Sequence, residues 1–136
     1  MPENTYTTVL VGTDGSASSL RAVERAAEVA RRAGGTLLIA CATREDGSSE
    51  AAENVLRGAL ERARAAGDLD VDSLVLHGDP VDELTRAAHE RDADLVVVGN
   101  RGMNGLAGRL LGSVPSNLSH RVRCDVLIAH TTGRSA

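Results

Sequence analysis

The sequence predicts a doubly wound α/β domain, in which one parallel sheet carries helices on both faces. Five short apolar runs alternate with segments of helical periodicity, and glycines or capping residues stand at the junctions. The apolar runs are continuous rather than alternating, which is typical of strands that are covered on both faces. Strands that alternate with helices form βαβ units, and their right-handed crossovers place helices on both sides of the sheet.

The five predicted strands are short and rich in Val, Leu and Ile. In chain order they are Val9–Val11, Leu37–Ala40, Leu74–Leu76, Leu95–Val98 and Val126–Ala129. Four helices are predicted between and after them, with apolar residues recurring at helical spacing. The first covers about 16–33 and stops at Gly34, and the second covers about 49–66 and stops at Gly67. The third opens with Asp79 as the N-cap, followed by Pro80. The fourth covers about 113–120.

Length and composition limit the possible domain organisation and the classes of ligand. A chain of 136 residues fits one domain, so residues 1–136 are predicted to fold as a single unit. Tyr6 is the sole aromatic residue, and the formal net charge is -4. Binding of nucleic acid is therefore not expected, because it needs a basic face and, for single strands, aromatic stacking platforms.

Several kinds of chemistry are excluded or disfavoured by missing residue types. The 15 basic residues are all Arg, so a P-loop lysine and a catalytic amine are excluded. Cys41 and Cys124 lie far apart, without the spacing of a metal site, and no metal site is expected. No export signal and no apolar stretch of roughly 20 residues is found, so we expect no membrane association and a cytoplasmic location.

The loop after the first strand carries an acid between two glycines. It reads Gly12-Thr13-Asp14-Gly15-Ser16 and leads into a helix. In doubly wound sheets the ligand crevice lies beyond the carboxyl ends of the strands, where the strand order reverses. Asp14 is therefore a candidate to accept hydrogen bonds from ribose hydroxyls. The alternative is that Asp14 only stabilises the turn before the helix.

The loop after the fourth strand is a candidate phosphate cradle. Gly99-Asn100-Arg101-Gly102 is followed by nine residues and then by Gly112-Ser113, where the last helix opens. Glycines let a ligand approach the backbone closely, and a helix N-terminus offers N–H groups to an anion. Arg101 and Arg109 are candidates to hold phosphate, although surface arginines more often pair with nearby acids.

This spacing resembles that of the nucleotide-binding members of the universal stress protein family, in which GxxG, nine residues and then Gly with Ser or Thr recur. Gly99, Gly102, Gly112 and Ser113 fill that pattern, and the opening 11–16 is similar to family sequence as well. The resemblance implies a Rossmann-like fold with five strands in the order 3-2-1-4-5. It also implies that Asp14 contacts ribose, that Cys41 lies against adenine, and that the chain forms a homodimer through its last strand, about Val126 to His130.

The stretch 107–115 resembles a subgroup of short family members associated with cyclic AMP. Pro115 stands where many ATP-binding members have Ser or Thr, and proline offers neither an N–H nor a hydroxyl to phosphate. The resemblance implies an adenine nucleotide as the ligand: ATP, with magnesium as its companion, or a cyclic or monophosphate nucleotide such as cyclic AMP or AMP. The missing donor at Pro115 favours one or two phosphates over a triphosphate.

The predicted function is that of a nucleotide-binding stress or signalling protein, which senses or sequesters its ligand and has no catalytic residues. The predicted ligand-binding residues are Val11, Thr13, Asp14, Cys41, Val98, Gly99, Asn100, Arg101, Gly102, Arg109, Gly112, Ser113, Val114 and Ser116. Two alternatives stay open: a ligand-free dimeric scaffold that binds a protein partner, and a weak ATP hydrolase.

Overall fold

The computed structural model describes residues 6–43, 49–100, 118 and 120–130. Within them the elements are β1 Thr8–Gly12, α1 Ala17–Ala33, β2 Thr36–Thr43, α2 Glu50–Arg64, β3 Asp70–His77, α3 Pro80–Glu90, β4 Leu95–Gly99 and β5 Asp125–Ala129. All five strands are parallel and form one sheet in the order β3-β2-β1-β4-β5. The predicted fold class and strand order are therefore confirmed.

The strand order reverses at β1. Val9 of β1 is in register with Leu37 of β2 on one side and with Leu95 of β4 on the other. The chain thus moves outward from β1 to β2 and β3, and then crosses back to build β4 and β5. This reversal opens the crevice between the carboxyl ends of β1 and β4, where ligands bind in sheets of this kind.

The strand predictions differ from the structure most at β3. The apolar pattern marks only Leu74–Leu76, whereas β3 begins at Asp70 and pairs with β2 along its whole length. Among the described strands β3 lies at one edge of the sheet, and its first residues alternate between exposed and half-buried positions. An edge strand that is half-solvated tolerates polar residues such as Asp70 and Asp72, which hide it from an apolar search.

The boundaries of α1 and α3 follow their capping residues, whereas α2 begins after Ser49 without a side-chain cap and ends at Arg64, before the predicted stop at Gly67. Ser16 caps α1 and accepts from the N–H of Ser19 at 3.2 Å, and Gly34 ends the helix with φ 73°. Asp79 caps α3 and accepts from the N–H of Asp82 at 3.1 Å. Left-handed backbone at a helix end is where glycine is favoured.

The described residues contain three complete helices, against four predicted. The fourth prediction, about 113–120, falls mostly outside the described residues. Leu118, His120 and Arg121 have helical backbone, and the N–H of Val122 donates to the carbonyl of Leu118 at 3.0 Å. That bond spans four residues, as in an α-helix.

The core consists of two aliphatic layers, one on each face of the sheet. The first layer packs α1 and α2 on the sheet, with Val11, Ile39 and Cys41 among its members. The second packs α3 and residues Leu118 and Val122 on the opposite face. Both faces are therefore covered, which explains why β1 and β4 are apolar without alternation.

Asp94 closes the amino-terminal edge of the sheet. Its carboxylate accepts from the N–H and the hydroxyl of Thr7 at 3.0 and 2.8 Å, and from the N–H of Thr8 at 3.0 Å. Partial burial acts to raise the pKa of Asp94, but the hydrogen bonds outweigh it, and the pKa lies below its usual range. This edge is opposite the crevice, so Asp94 ties β1 to the start of β4 without approaching a ligand.

Candidate functional site

The candidate site lies at the carboxyl ends of β1, β2 and β4. Gly12 and Gly99 end β1 and β4, and the N–H of Asn100 donates to the carbonyl of Ala129 at 2.9 Å. The N–H of Thr13 donates to the carbonyl of Ala40 at 2.9 Å, which extends the pairing of β1 with β2 by one residue. These contacts fix where the two loops leave the sheet.

The loop after β1 satisfies its own backbone. Four successive N–H groups, from Thr13 to Ser16, each have an acceptor within the protein. The four bonds are Thr13 N to Ala40 O at 2.9 Å, Asp14 N to Ser19 Oγ at 3.2 Å, Gly15 N to Thr13 Oγ1 at 3.1 Å and Ser16 N to Asp14 Oδ1 at 2.9 Å. The loop is therefore held by one backbone carbonyl and three side-chain oxygens of the protein and does not present these amides to an anion.

Asp14 is half-buried at the centre of this loop. Its Oδ1 accepts from the N–H of Ser16 two residues ahead, which is the contact of an Asx-turn. The turn role that the sequence left open as an alternative is thus present. The same bond orients the carboxylate, because one of its oxygens is held by the backbone that opens α1.

Cys41 lies beside Asp14 at the end of β2. Its side chain is 5% exposed. Burial raises the pKa of the Cys41 thiol to about 11, and the negative charge of Asp14 adds to the rise. The thiol is therefore protonated and unreactive at neutral pH, and the structure brings together two of the predicted ligand-binding residues.

Gly15 follows Asp14 in left-handed backbone, with φ 87°. A β-carbon added to Gly15 would lie 3.1 Å from Cγ2 of Val55, on α2. The loop thus packs closely on α2, and a glycine is needed both for the backbone angle and for the approach.

The remaining predicted residues divide into two groups. Val11 and Val98 are buried in β1 and β4, Gly99 is buried at the end of β4, and Asn100 is half-buried directly after it. Thr13 is 1% exposed and supports the loop through its hydroxyl. The other predicted residues lie outside the described residues and stay predictions: Arg101, Gly102, Arg109, Gly112, Ser113, Val114 and Ser116.

The sequence reasoning missed the role of Ser19. The residue that caps α1 is Ser16. Ser19 instead points its hydroxyl back into the loop after β1 and is 1% exposed. A serine three residues after an N-cap Ser, behind a glycine-flanked acid, is the signal that could have indicated it.

In the part of the chain that the structure describes, no group of three or more His, Cys, Asp or Glu side chains is arranged to hold a metal ion. Nor does any helix of these segments have the length and apolar character to cross a membrane.

Comparison with known proteins identifies relatives over nearly the whole chain. The model of the universal stress protein family matches residues 5–130. The universal stress protein Rv1636 of Mycobacterium tuberculosis is 46% identical, with 93% of this chain and 98% of the relative covered. A crystal structure of a universal stress protein in complex with cAMP is 49% identical, covers 95% of this chain and 100% of its own, and has a TM-score of 0.83.

A more distant structure, the universal stress protein from Archaeoglobus fulgidus, shares the fold at 24% identity and a TM-score of 0.74, with 90% of this chain and 93% of that chain covered. The family match, the identity to Rv1636 and the strand order thus agree. The chain belongs to the universal stress protein family.

Proposed function

We propose that the protein binds an adenine nucleotide in the crevice between β1 and β4, and that it works by binding rather than by catalysis. The observation that carries the proposal is Asp14: a half-buried carboxylate at the strand-order reversal, oriented by its own turn. A carboxylate at this place in a doubly wound sheet is suited to accept hydrogen bonds from ribose hydroxyls.

The adenine ring would lie near the end of β2. Cys41 is a neutral, weakly polar thiol there, and its neighbours in the core are aliphatic. An apolar lining of this kind beneath the end of the sheet suits an uncharged aromatic base, while the charge of Asp14 suits the sugar. The phosphate would then extend toward the loop after β4, where Gly102, Gly112 and Ser113 are the predicted contacts.

Cyclic AMP is the first ligand to test. The relative that was solved with cAMP shares 49% of its residues with this chain and covers nearly all of it. ATP and AMP are the other candidates. Binding of cyclic AMP or AMP in preference to ATP would agree with Pro115, which offers no donor to a longer phosphate chain.

Calorimetric titration with cyclic AMP, AMP, and ATP with magnesium tests the proposal. Asp14→Asn is the informative variant, because an amide oxygen can still accept from the Ser16 N–H while the negative charge is lost. Hydrogen bonds to a charged group contribute about 1.5–3 kcal/mol, so we expect the affinity to fall at least about tenfold. Asp68→Asn, at an exposed position distant from the crevice, is the control with the same change of charge.

No saturable binding of any of these ligands at millimolar concentration would refute the proposal. Equal affinities of the wild type and the Asp14→Asn variant would refute the role of Asp14 alone. Incubation with ATP and magnesium distinguishes the hydrolase alternative, since phosphate release well above the buffer rate would show turnover.

We also propose that residues 1–136 form a single domain, that the protein acts in the cytoplasm, and that it forms a homodimer through β5. β5 lies at an edge of the sheet among the described strands, and Ile128 on it is 43% exposed. An exposed edge strand with an apolar side chain favours pairing with a second copy. Light scattering of the wild type and of Ile128→Arg tests this, with a shift toward monomer expected in the variant.

A further inference from the structure

The buried hydroxyl of Ser19 has more hydrogen-bond partners than helix capping requires. Its Oγ lies 2.7 Å from Thr13 Oγ1, 3.2 Å from the nitrogen of Asp14 and 3.0 Å from the carbonyl oxygen of Ser16. Ser19 itself is the third residue of α1 and is 1% exposed. A helix start needs acceptors for its N–H groups, and Ser16 already supplies one of them.

Valence assigns the protons in this network. A hydroxyl has one proton and two lone pairs, whereas a carbonyl can only accept. In the arrangement that makes every bond, Ser19 donates to the carbonyl of Ser16 and accepts from the N–H of Asp14 and from the hydroxyl of Thr13. The hydroxyl of Thr13 then accepts from the N–H of Gly15, at 3.1 Å. Ser19 thereby makes all the hydrogen bonds that a hydroxyl can make.

Two contacts that hold Asp14 involve this hydroxyl. Ser19 accepts from the N–H of Asp14 directly. Together with the N–H of Leu20, it also binds the carbonyl of Ser16, whose own N–H binds the Asp14 carboxylate. Loss of the Ser19 hydroxyl would leave the N–H of Asp14 and the hydroxyl of Thr13 without their acceptor. Because buried polar groups are costly to leave unpaired, the loop would move to find water.

The geometry points to Ser19 as a positioning residue: with Thr13, it holds the loop after β1 so that the Asp14 carboxylate is presented in one orientation to a ribose hydroxyl. This inference rests on the proposed function and deepens it. Ser19 does not touch the ligand. Its effect on binding passes through Asp14, and so it is confined to ligands that carry the hydroxyl which Asp14 contacts.

The test compares ligand pairs that differ only in ribose hydroxyls: AMP with dideoxy-AMP, and cyclic AMP with its deoxy form. Affinities are measured by calorimetry for the wild type, Ser19→Ala and Ser19→Thr. Thr85→Val is the matched control, because it removes another buried helical hydroxyl, bonded to the carbonyl of Val81 at 2.7 Å on α3, away from the loop. Unfolding by urea is followed for each variant.

We expect Ser19→Ala to weaken binding of the hydroxyl-bearing nucleotide about tenfold and to change binding of the deoxy ligand less than about twofold. Ser19→Thr, which keeps a hydroxyl, should restore most of the affinity. Thr85→Val should leave the affinities for both ligands unchanged. In an Asp14→Asn background, the effect of Ser19→Ala on affinity should disappear, since the two act through one contact.

If Ser19 had only a structural role, Ser19→Ala would weaken the binding of both ligands of a pair equally. That result overturns the inference while the proposed function stands. Equal affinities of the wild type and Ser19→Ala do the same. If the wild type binds none of the ligands, the proposed function fails and the positioning role falls with it. Should Ser19→Ala not fold, Thr13→Val removes two bonds of the same network, the contact with Ser19 Oγ and the acceptor of the Gly15 N–H. It is expected to show the same selective loss for the hydroxyl-bearing ligand.

Discussion

Replacement of Gly15 by alanine tests how the loop after β1 is built. Gly15 has φ 87°, and an added β-carbon would lie 3.1 Å from Cγ2 of Val55. Gly34 offers a matched control, because its φ is 73° and nothing lies within 4 Å of its added β-carbon. The two substitutions share the cost of left-handed backbone and differ in the contact with α2.

The magnitudes follow from these two terms. Alanine in left-handed backbone costs about 1–2 kcal/mol, which is the whole effect expected of Gly34→Ala. Overpacking against a neighbouring side chain adds about 1–3 kcal/mol, so Gly15→Ala should cost about 2–5 kcal/mol in total. Val55→Ala removes the side chain that the new methyl group meets. Measured relative to Val55→Ala alone, Gly15→Ala should therefore cost little more than Gly34→Ala.

Urea unfolding of the four variants, followed by circular dichroism at pH 7, measures these free energies. A coupling of about 1 kcal/mol or more between positions 15 and 55 is the expected result, as for residues in direct contact. If Gly15→Ala costs no more than Gly34→Ala, or if Val55→Ala recovers nothing, the loop does not pack on α2 as described.

Three further predictions concern other parts of the molecule. Asp94→Asn should lower the free energy of unfolding by about 2 kcal/mol at pH 7. Folding lowers the pKa of Asp94, so its stabilisation is present above the unfolded pKa and is lost as pH falls through the folded pKa. The unfolding curves of the variant and the wild type, measured with urea, should therefore converge in acid. Cys41, whose pKa is raised to about 11, should react with iodoacetamide in native protein far more slowly than in urea, as mass spectrometry of the labelled peptide would show; equal rates would contradict its burial. In Gly35→Ala the new β-carbon would lie 2.6 and 2.7 Å from two backbone carbonyl oxygens. Urea unfolding should therefore show a loss of more than about 2 kcal/mol in the free energy of unfolding. A loss smaller than that of Gly34→Ala would contradict the close approach.

Sequence reasoning succeeded where burial on both faces produces a continuous apolar run. Val9–Val11 and Leu95–Val98 were found because β1 and β4 are covered by helices on each side. The start of β3 was missed, since Asp70 and Asp72 face solvent at the sheet edge. Edge position is a property of the whole sheet, and a local pattern does not contain it.

The candidate site shows the same division between local and non-local signals. Asp14 was identifiable because glycines flank it and a strand precedes it. The role of Ser19 was not, since it depends on the phase of α1 relative to the loop and on the depth at which Thr13 is buried. Both are set by packing between α1 and the sheet, which the sequence pattern predicts only in outline.

The internal bonding of the first loop also bears on where the phosphates would lie in the proposed nucleotide complex. In dinucleotide-binding sheets the amides of the first loop and helix approach the pyrophosphate. Here the amides from Thr13 to Ser16 are bonded to acceptors within the protein, and the Asp14 carboxylate among them would repel a phosphate. The free energy of binding a nucleotide is therefore most favourable if its sugar faces the first loop and its phosphates face away from that loop, toward the loop that follows β4.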